Sequence, residues 1–470
     1  MNSIQEPLIK KSIWQELKDA IKGTEADYTK VSLNRAIFLL AVPMILELVM
    51  ESTFAVVDIF FVGKLGSSAV ATVGLTETYL FLLYSVAMGL SMAVTAIIAR
   101  RIGEKNKTEA AISAVQAILL ALFISIPFSL AGIFYAKDLL MLMGADPWSV
   151  DVGYKYTQWM LGGNFVILLL FIINAIFRGA GDAAIAMRVL WIANGINIIL
   201  CPLLINGWGL IPAMGIEGAA LATNIGRGTG VLLQLYLLLK GGKHIRVTLA
   251  QLQLNVKLML NMIKTSLGGI AQMLIAMTSW IFMMRILSNI GSEAVAGATI
   301  SIRIMMFTIM PAWGLSNAAA TLVGQNLGAN QPERAESTVW KIGFYNMLFL
   351  IVVSLVFYFF NNELVSIFTQ DPLVIKVGAE WLKILSYSFF VYAWWMVTVQ
   401  AFNGAGDTKT PTYINLVFFW LIQIPLAYYL AIHLNWAESG VFWAVFFSET
   451  SVGLFTLWIF KKGKWKTMKV

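Results

Sequence analysis

The chain repeats itself at one fixed offset. GSSAVA at Gly66–Ala71 returns as GSEAVA at Gly291–Ala296. GLS at Gly89–Ser91 returns at Gly314–Ser316, Asp146-Pro147 as Asp371-Pro372, and GAGD at Gly179–Asp182 as Gly404–Asp407. The differences 291 − 66, 314 − 89, 371 − 146 and 404 − 179 all equal 225. Gly103/Gly328, Gly153/Gly378 and Gly215/Gly440 keep the same offset. A register held across most of both halves requires that the halves share one architecture.

Hydrophobic residues make up 59% of the chain and charged residues 12%, against about 25% charged in an ordinary soluble domain. Apolar runs of about 20 residues recur, enough to cross a hydrocarbon core roughly 30 Å thick. The sequence predicts an all-α polytopic membrane protein of twelve transmembrane helices, near 35–62, 73–100, 109–136, 152–177, 184–206, 212–240, 258–287, 298–326, 336–360, 376–402, 410–432 and 439–461. They form two six-helix repeats around a central cavity. Six per half gives both halves one orientation, with their pseudo-twofold axis along the membrane normal, an arrangement common among transporters. The expected divisions are an N-terminal segment over 1–34, a first lobe over 35–240, a linker over 241–257, a second lobe over 258–461 and a basic tail over 462–470.

The net charge of +8 follows the membrane, not a polyanionic partner. Arg100, Arg101, Lys105, Lys107, Arg178, Lys240, Lys243, Arg246, Arg334 and Lys409 follow even-numbered helices, and the tail adds Lys461, Lys462, Lys464, Lys466 and Lys469. Lys64, Lys137, Lys155 and Lys376 stand on the other side. This distribution predicts a plasma-membrane protein with both termini in the cytoplasm and no nucleic-acid partner. The first 34 residues lack the apolar core of a signal peptide. Ser12 with Gln15 resembles a capping box and Ile13, Leu17 and Ile21 share a face, so a short amphipathic helix on the inner leaflet is expected; a solvated tail is the alternative.

Cys201 is the single cysteine and His244 and His433 lie far apart, which excludes an intramolecular disulfide and leaves no argument for a zinc or iron site. There is no phosphate-binding loop and no hydrolase signature. The chain is not read as an enzyme, and no cofactor is expected; if it pumps, an ion gradient supplies the energy.

Three carboxylates, Glu47, Glu51 and Asp58, stand inside the first apolar span. At about 100° and 1.5 Å per residue they fall within roughly 40° of one line and span about 16 Å. A carboxylate facing lipid at the bilayer centre costs roughly 3 kcal/mol or more, so the stripe must look into protein or water. Glu47 and Glu51, one turn apart, should not both be ionised without a cation between them. Such groups can carry a proton, bind sodium or attract an organic cation; structural hydrogen bonding is the alternative. Their repeat mates are Gln272, Ala276 and Met283, so the acidic chemistry is concentrated in the first half. In the fifth predicted helix Asn194, Asn197 and Cys201 share a face; the amides could complete a cation's shell or simply bond helix to helix. Pro202 deprives the Ile198 carbonyl of its helical donor, which makes a further ligand or a plain kink. Gln272, Met273, Met277 and Trp394 are candidate cavity residues, because methionine suits adaptable binding surfaces and tryptophan stacks on cations; core packing is the competing reading. Asp182 and Asp407 read as turn and cap residues.

VVDIFFVGKLG at 56–66, GLS in the second helix, FRGAGD at 177–182, GIEGAALAT at 215–223 and FNGAGDTKTP at 402–411 resemble the multidrug and toxic compound extrusion (MATE) family over roughly residues 35–460. The resemblance implies two six-helix lobes forming a V around a cavity, and an antiporter exporting organic cations in exchange for protons or sodium ions. The expected partners are a small cationic amphiphile and membrane lipid, and the chain is expected to be a monomer. It assigns coupling-ion roles to Asp58, Asn197 and Thr223. It also shows departures. Many members carry an acid where Cys201 stands, and NorM-type members carry acids at the positions of Ala276 and Tyr392. Glu51 is therefore expected to replace the missing charge. A lipid-linked saccharide flippase, whose cavity should present Arg or Lys, and a non-transporting receptor or scaffold are the alternatives.

Overall fold

A computed structural model describes residues 12–24, 26–209, 212–241 and 244–468. Lys243 and Lys469 of the basic pattern, and residues 1–11 of the N-terminal segment, lie outside the described residues. The described fold is all helical. A short surface helix, α1 (Ile13–Lys22), precedes α2 (Leu33–Gly63), α3 (Ser67–Gly103), α4 (Lys107–Leu142), α5 (Tyr154–Gly162), α6 (Asn164–Ala180), α7 (Ala183–Asn206) and α8 (Ile216–Lys240). The second half contains α9 (Val256–Ser288), α10 (Ser292–Gly328), α11 (Pro332–Phe359), the short α12 (Asn361–Ser366), α13 (Pro372–Ser386), α14 (Phe389–Ala405), α15 (Lys409–Asn415), α16 (Ile424–Tyr428) and α17 (Ala437–Lys461).

Among the described residues ten stretches are long and apolar enough to cross a membrane, and α13 with α14 make an eleventh, bent by 64°. The twelfth, α8, has the length at 25 residues, but Glu217, Asn224 and Arg227 dilute its apolar character. The fourth span of each half is broken at one place: α5 meets α6 at Gly163 in the first half, and α13 meets α14 around Tyr387 and Ser388 in the second. In the span over Lys409–His433, wide π-type turns over Leu416–Gln423 and Tyr429–His433 separate α15, α16 and the approach to α17. At the start of α1 the Ser12 N–H donates to Gln15 Oε1 at 3.1 Å, while Ile13 and Trp14 are each 78% exposed.

Each half has its own apolar core, one around Leu83, Ile97, Ile172 and Ala219, the other around Met283, Phe357, Trp381 and Phe442. A third cluster joins the halves at one end, where Leu40, Met44, Leu322, Val323 and Phe402 pack together. α2 crosses α10 and α3 crosses α9 where glycine removes the side chain. A Cβ on Gly314 would stand 2.7 Å from Ile45 Cα, and one on its repeat mate Gly89 would run into the backbone of Ile270. A second pair, Gly103 and Gly328, abuts the Gln325 and Arg100 carbonyls. The sealed end is thus the one carrying Arg100, Arg101 and Lys105.

The repeat offset holds through Gly404. In the last helix the geometry slips. Gly218 of α8 lies against the Leu204–Ile205 backbone, and Gly440 of α17 lies against the Leu430–Ala431 backbone in the same way. Gly440 therefore stands for Gly218 and not for Gly215, and the offset in this helix is 440 − 218, or 222. The connection into the last helix is shorter in the second half: residues 207–215 separate α7 from α8, and only residues 434–436 separate the turn ending at His433 from α17.

Candidate functional site

The acid stripe sits where its periodicity places it, on the inner side of α2, but two of its three members are already paired. Glu47 is buried, its Oε1 is 3.6 Å from Arg178 Nη1 at the end of α6, and it accepts from Asn174 Nδ2 at 3.4 Å. Glu51 Oε1 pairs with Arg227 Nη2 of α8 at 3.1 Å, and its Oε2 accepts from Asn194 Nδ2 at 3.1 Å. Arg227 is buried, donates to Tyr84 OH at 3.3 Å and stacks over Phe54 at 5.4 Å. Glu51, expected to replace the charge missing at Cys201, thus lies against a guanidinium that cannot lose its proton.

Asp58 differs. It is half-buried near the unsealed end of α2. Its hydrogen-bond partner is the buried thiol of Cys201, 3.7 Å from Oδ1, and among the described residues no Lys or Arg forms a salt bridge with it. Beside it, Asn197 Nδ2 donates to Thr223 Oγ1 at 3.0 Å. Asn197 Oδ1 and Asn194 Oδ1 are buried with no hydrogen-bond donor among the described residues, two hard oxygens with unused acceptor capacity. Asn194, Asn197 and Cys201 do share the face read from their spacing, and α7 carries it against α2.

A cavity lies between the halves in two connected parts. One, of about 150 Å³, is lined by Leu48, Ser91, Arg178, Trp313 and Asn403 among others. The other, of about 210 Å³, reaches into the second half and is lined by Met273, Met277, Met305 and Met306 with Trp280 and Trp395. Met92, Met273, Trp313 and Gln400 line both parts. Met273 and Met277 are thus cavity residues. Gln272 also borders the space, though its amide donates to Asn403 Oδ1 at 3.1 Å and to the Thr408 carbonyl at 2.9 Å. Trp394 is not a cavity residue. Its ring lies against Gly343 of α11 and its Nε1 points to Met347 Sδ at 3.3 Å; one residue along the helix, Trp395 takes the inward position.

Three residues escape the sequence reading. Arg178 reads there as a loop cation, and Arg227 hides in a glycine-rich helix. Glu449, on α17, is 6% exposed and borders the second part of the cavity. The available cue is a charged residue well inside a predicted span, at 227 and at 449. Asp407 is a cap as read, its carboxylate accepting from Thr410 N at 3.1 Å and Thr410 Oγ1 at 2.6 Å. Asp182 holds the N-cap position of α7, as read, while its side chain faces His244 Nε2 at 3.8 Å, and burial pushes its carboxyl above the usual range, the histidine opposing. No three His, Cys, Asp or Glu side chains converge on a metal site among the described residues.

Two pseudo-symmetric helical halves with a membrane-embedded cavity between them define a polytopic membrane transporter. The chain belongs to the MatE family, the MATE multidrug efflux transporters, whose profile matches twice, at residues 43–203 and 269–429. It is 27% identical to the probable multidrug resistance protein NorM of Thermotoga maritima, over 93% of this chain and 94% of the relative. It is 24% identical to the probable multidrug resistance protein YoeA of Bacillus subtilis, over 94% and 96%. Among solved structures, the outward-facing conformation of a multidrug resistance MATE family transporter superposes with a TM-score of 0.86 at 23% identity, covering 96% of this chain and 98% of that one. The fold and the family read from the sequence are both correct, and the protein is a transporter, not an enzyme.

Proposed function

We propose that the chain is an antiporter of the plasma membrane that exports small cationic amphiphiles in exchange for protons or sodium ions, working as a single chain. The observation that carries this is Asp58, an acid inside a membrane span whose hydrogen-bond partner is a thiol and which no basic side chain bridges among the described residues. With Glu47 and Glu51 neutralised by Arg178 and Arg227, it is the stripe member left to bind a cation. A proton on Asp58 would be held against the Cys201 sulfur; a sodium ion would draw in addition on Asn197 and Thr223. Glu47, Glu51 and Asn194 keep a supporting role, holding the two arginines and α7 in place. Gln272, Met273 and Met277 line the cargo cavity, with Trp395 there in place of Trp394.

The cationic preference is supported by the cavity wall. Among the described residues Arg178 is the one basic side chain lining either part, and Glu47 already takes its charge. A phosphate-bearing saccharide would find no free cation there, and the named relatives do not favour a flippase or a receptor. The basic residues at the sealed end support a cytoplasmic position for that end and for both termini, and hence a conformation closed on the cytoplasmic side. Occupation of Asp58 then biases the rocking of the halves only through a different ion affinity in the two states. Ethidium efflux from proteoliposomes tests the reading: it should rise on imposing a proton or sodium gradient. Efflux indifferent to both, or gradient-independent scrambling of lipid, would contradict it.

A further inference from the structure

We propose that the second half contains a separate anchor for an organic cation, formed by Glu449 at the wall of the methionine- and tryptophan-lined cavity. The cargo class rests on the transport reading above; the residue that holds the cargo is new.

Glu449 owes its place to the register slip between the halves. Gly440 plays the part of Gly218, so α17 runs at the offset of 222 from α8, and Glu449 occupies the place of Arg227 (449 − 227). The adjoining contact agrees. A Cβ on Gly226 would stand 2.6 Å from the Ala193 carbonyl oxygen, so α8 meets α7 there. At the matching place in the second half, Ser448 Oγ donates at 2.8 Å to the carbonyl of Phe418, the repeat mate of Ala193 (418 − 193 is 225). In the first half the Arg227 guanidinium fills its pocket, paired with Glu51, bonded to Tyr84 and stacked over Phe54. The repeat mates of those three are Ala276, Ile309 and Ser279. All three line the second part of the cavity together with Glu449.

The second half thus lacks both the guanidinium and its acid, and a carboxylate stands where the guanidinium would be. What remains is a space of about 210 Å³, walled by aromatic rings and thioethers, with one acid. Glu449 accepts from Ser388 Oγ at 3.4 Å, and among the described residues no Lys or Arg forms a salt bridge with it. A carboxylate in such a wall is costly unless a cation meets it. The aromatic faces of Trp280 and Trp395 suit a delocalised organic cation better than a hydrated metal ion. The site uses neither position at which the family resemblance places acids in the second half, since those hold Ala276 and Tyr392. Cargo and coupling ion then occupy different carboxylates, Glu449 and Asp58, and communicate through the movement of the halves.

Binding of tetraphenylphosphonium to the full chain in lipid nanodiscs, followed by calorimetry without any gradient, tests this. Triphenylphosphine oxide serves as the uncharged probe of similar shape. Glu449→Gln should weaken the cation about tenfold or more and leave the neutral probe unchanged. Glu449→Asp should retain most of the affinity. Ala276→Arg, which supplies an internal guanidinium, should abolish cation binding while the thermal unfolding profile stays that of the wild type. Equal affinity of Glu449→Gln and wild type for the cation would overturn the proposal, as would an equal loss of both probes or a wild type that does not bind the cation. Failure of ion coupling at Asp58 would show only in driven transport, so the two readings fail separately.

Discussion

An acid inside a membrane must have its charge met, and four acids of this chain are met in different ways. Glu47 and Glu51 face arginines. Asp58 and Glu449 face a thiol and a hydroxyl. On the reading proposed above, the first pair hold the structure and the second pair exchange their partners. Glu51→Gln therefore removes the salt-bridge partner of the buried Arg227 and should cost about 1–3 kcal/mol, read as a lowered unfolding temperature in detergent. The double variant Glu51→Leu with Arg227→Leu should recover most of that loss, because replacing both members of a buried pair removes two desolvation costs together. A single variant as stable as the wild type would contradict the pairing. The stripe itself is legible in the sequence, because helical periodicity fixes which residues of one helix share a face. Its partners are not: Arg178 and Arg227 come from α6 and α8, and a one-dimensional pattern does not show which foreign side chain meets a given face. Trp394 and Trp395 are confused for a related reason, since adjacent residues diverge by about 100° and composition does not choose between them.

At the scale of elements, the glycines decide how the halves meet. α2 on α10 and α3 on α9 approach backbone to backbone at Gly314 and Gly89, and the ends of α3 and α10 close at Gly103 and Gly328. These are repeat-related pairs, and their spacing is readable from the first comparison of the halves. A side chain at Gly328 would press on the Arg100 carbonyl. Gly328→Val should hold the basic end apart and shift the protein away from the state described; spin labels flanking positions 103 and 328 should report a longer distance, and an unchanged distance would remove the seal from this crossing. The slip in α17 is hard to read from the sequence, because the chance identity of Gly215 and Gly440 at the offset of 225 masks the shorter connection before α17. That slip also hides the correspondence of Arg227 and Glu449.

At the scale of the whole molecule, both chain ends tie the sealed face. Asp27 of the segment before α2 pairs with Lys105 at 2.7 Å, and Tyr28 OH donates to the Gly181 carbonyl at 3.1 Å, both in the first half. Arg334 of the second half donates to the Tyr28 carbonyl at 3.1 Å. At the other terminus Arg100 donates to the Met468 carbonyl at 2.8 Å, while Lys466 pairs with Glu336 at 2.5 Å and Glu333 at 3.0 Å. The Glu336 carboxylate beside it holds Lys466 above its ordinary value, so this tie is charged at neutral pH. Trp465, fully buried, stacks on Phe460 at 4.8 Å. Removing residues 464–470 should loosen the seal and raise hydrogen exchange at the ends of α3 and α10; unchanged protection there would show that the tail does not restrain it.

The proposed antiport turns on the discharge of Asp58 by the driving ion. The direct measurement is the initial rate of ethidium efflux from proteoliposomes under a proton gradient alone and a sodium gradient alone, for the wild type and Asp58→Asn. The wild type should respond to at least one gradient, and Asp58→Asn should lose about tenfold or more of that driven rate while still unfolding at the wild-type temperature. A folded Asp58→Asn protein that transports at the wild-type rate under the same gradient would contradict it.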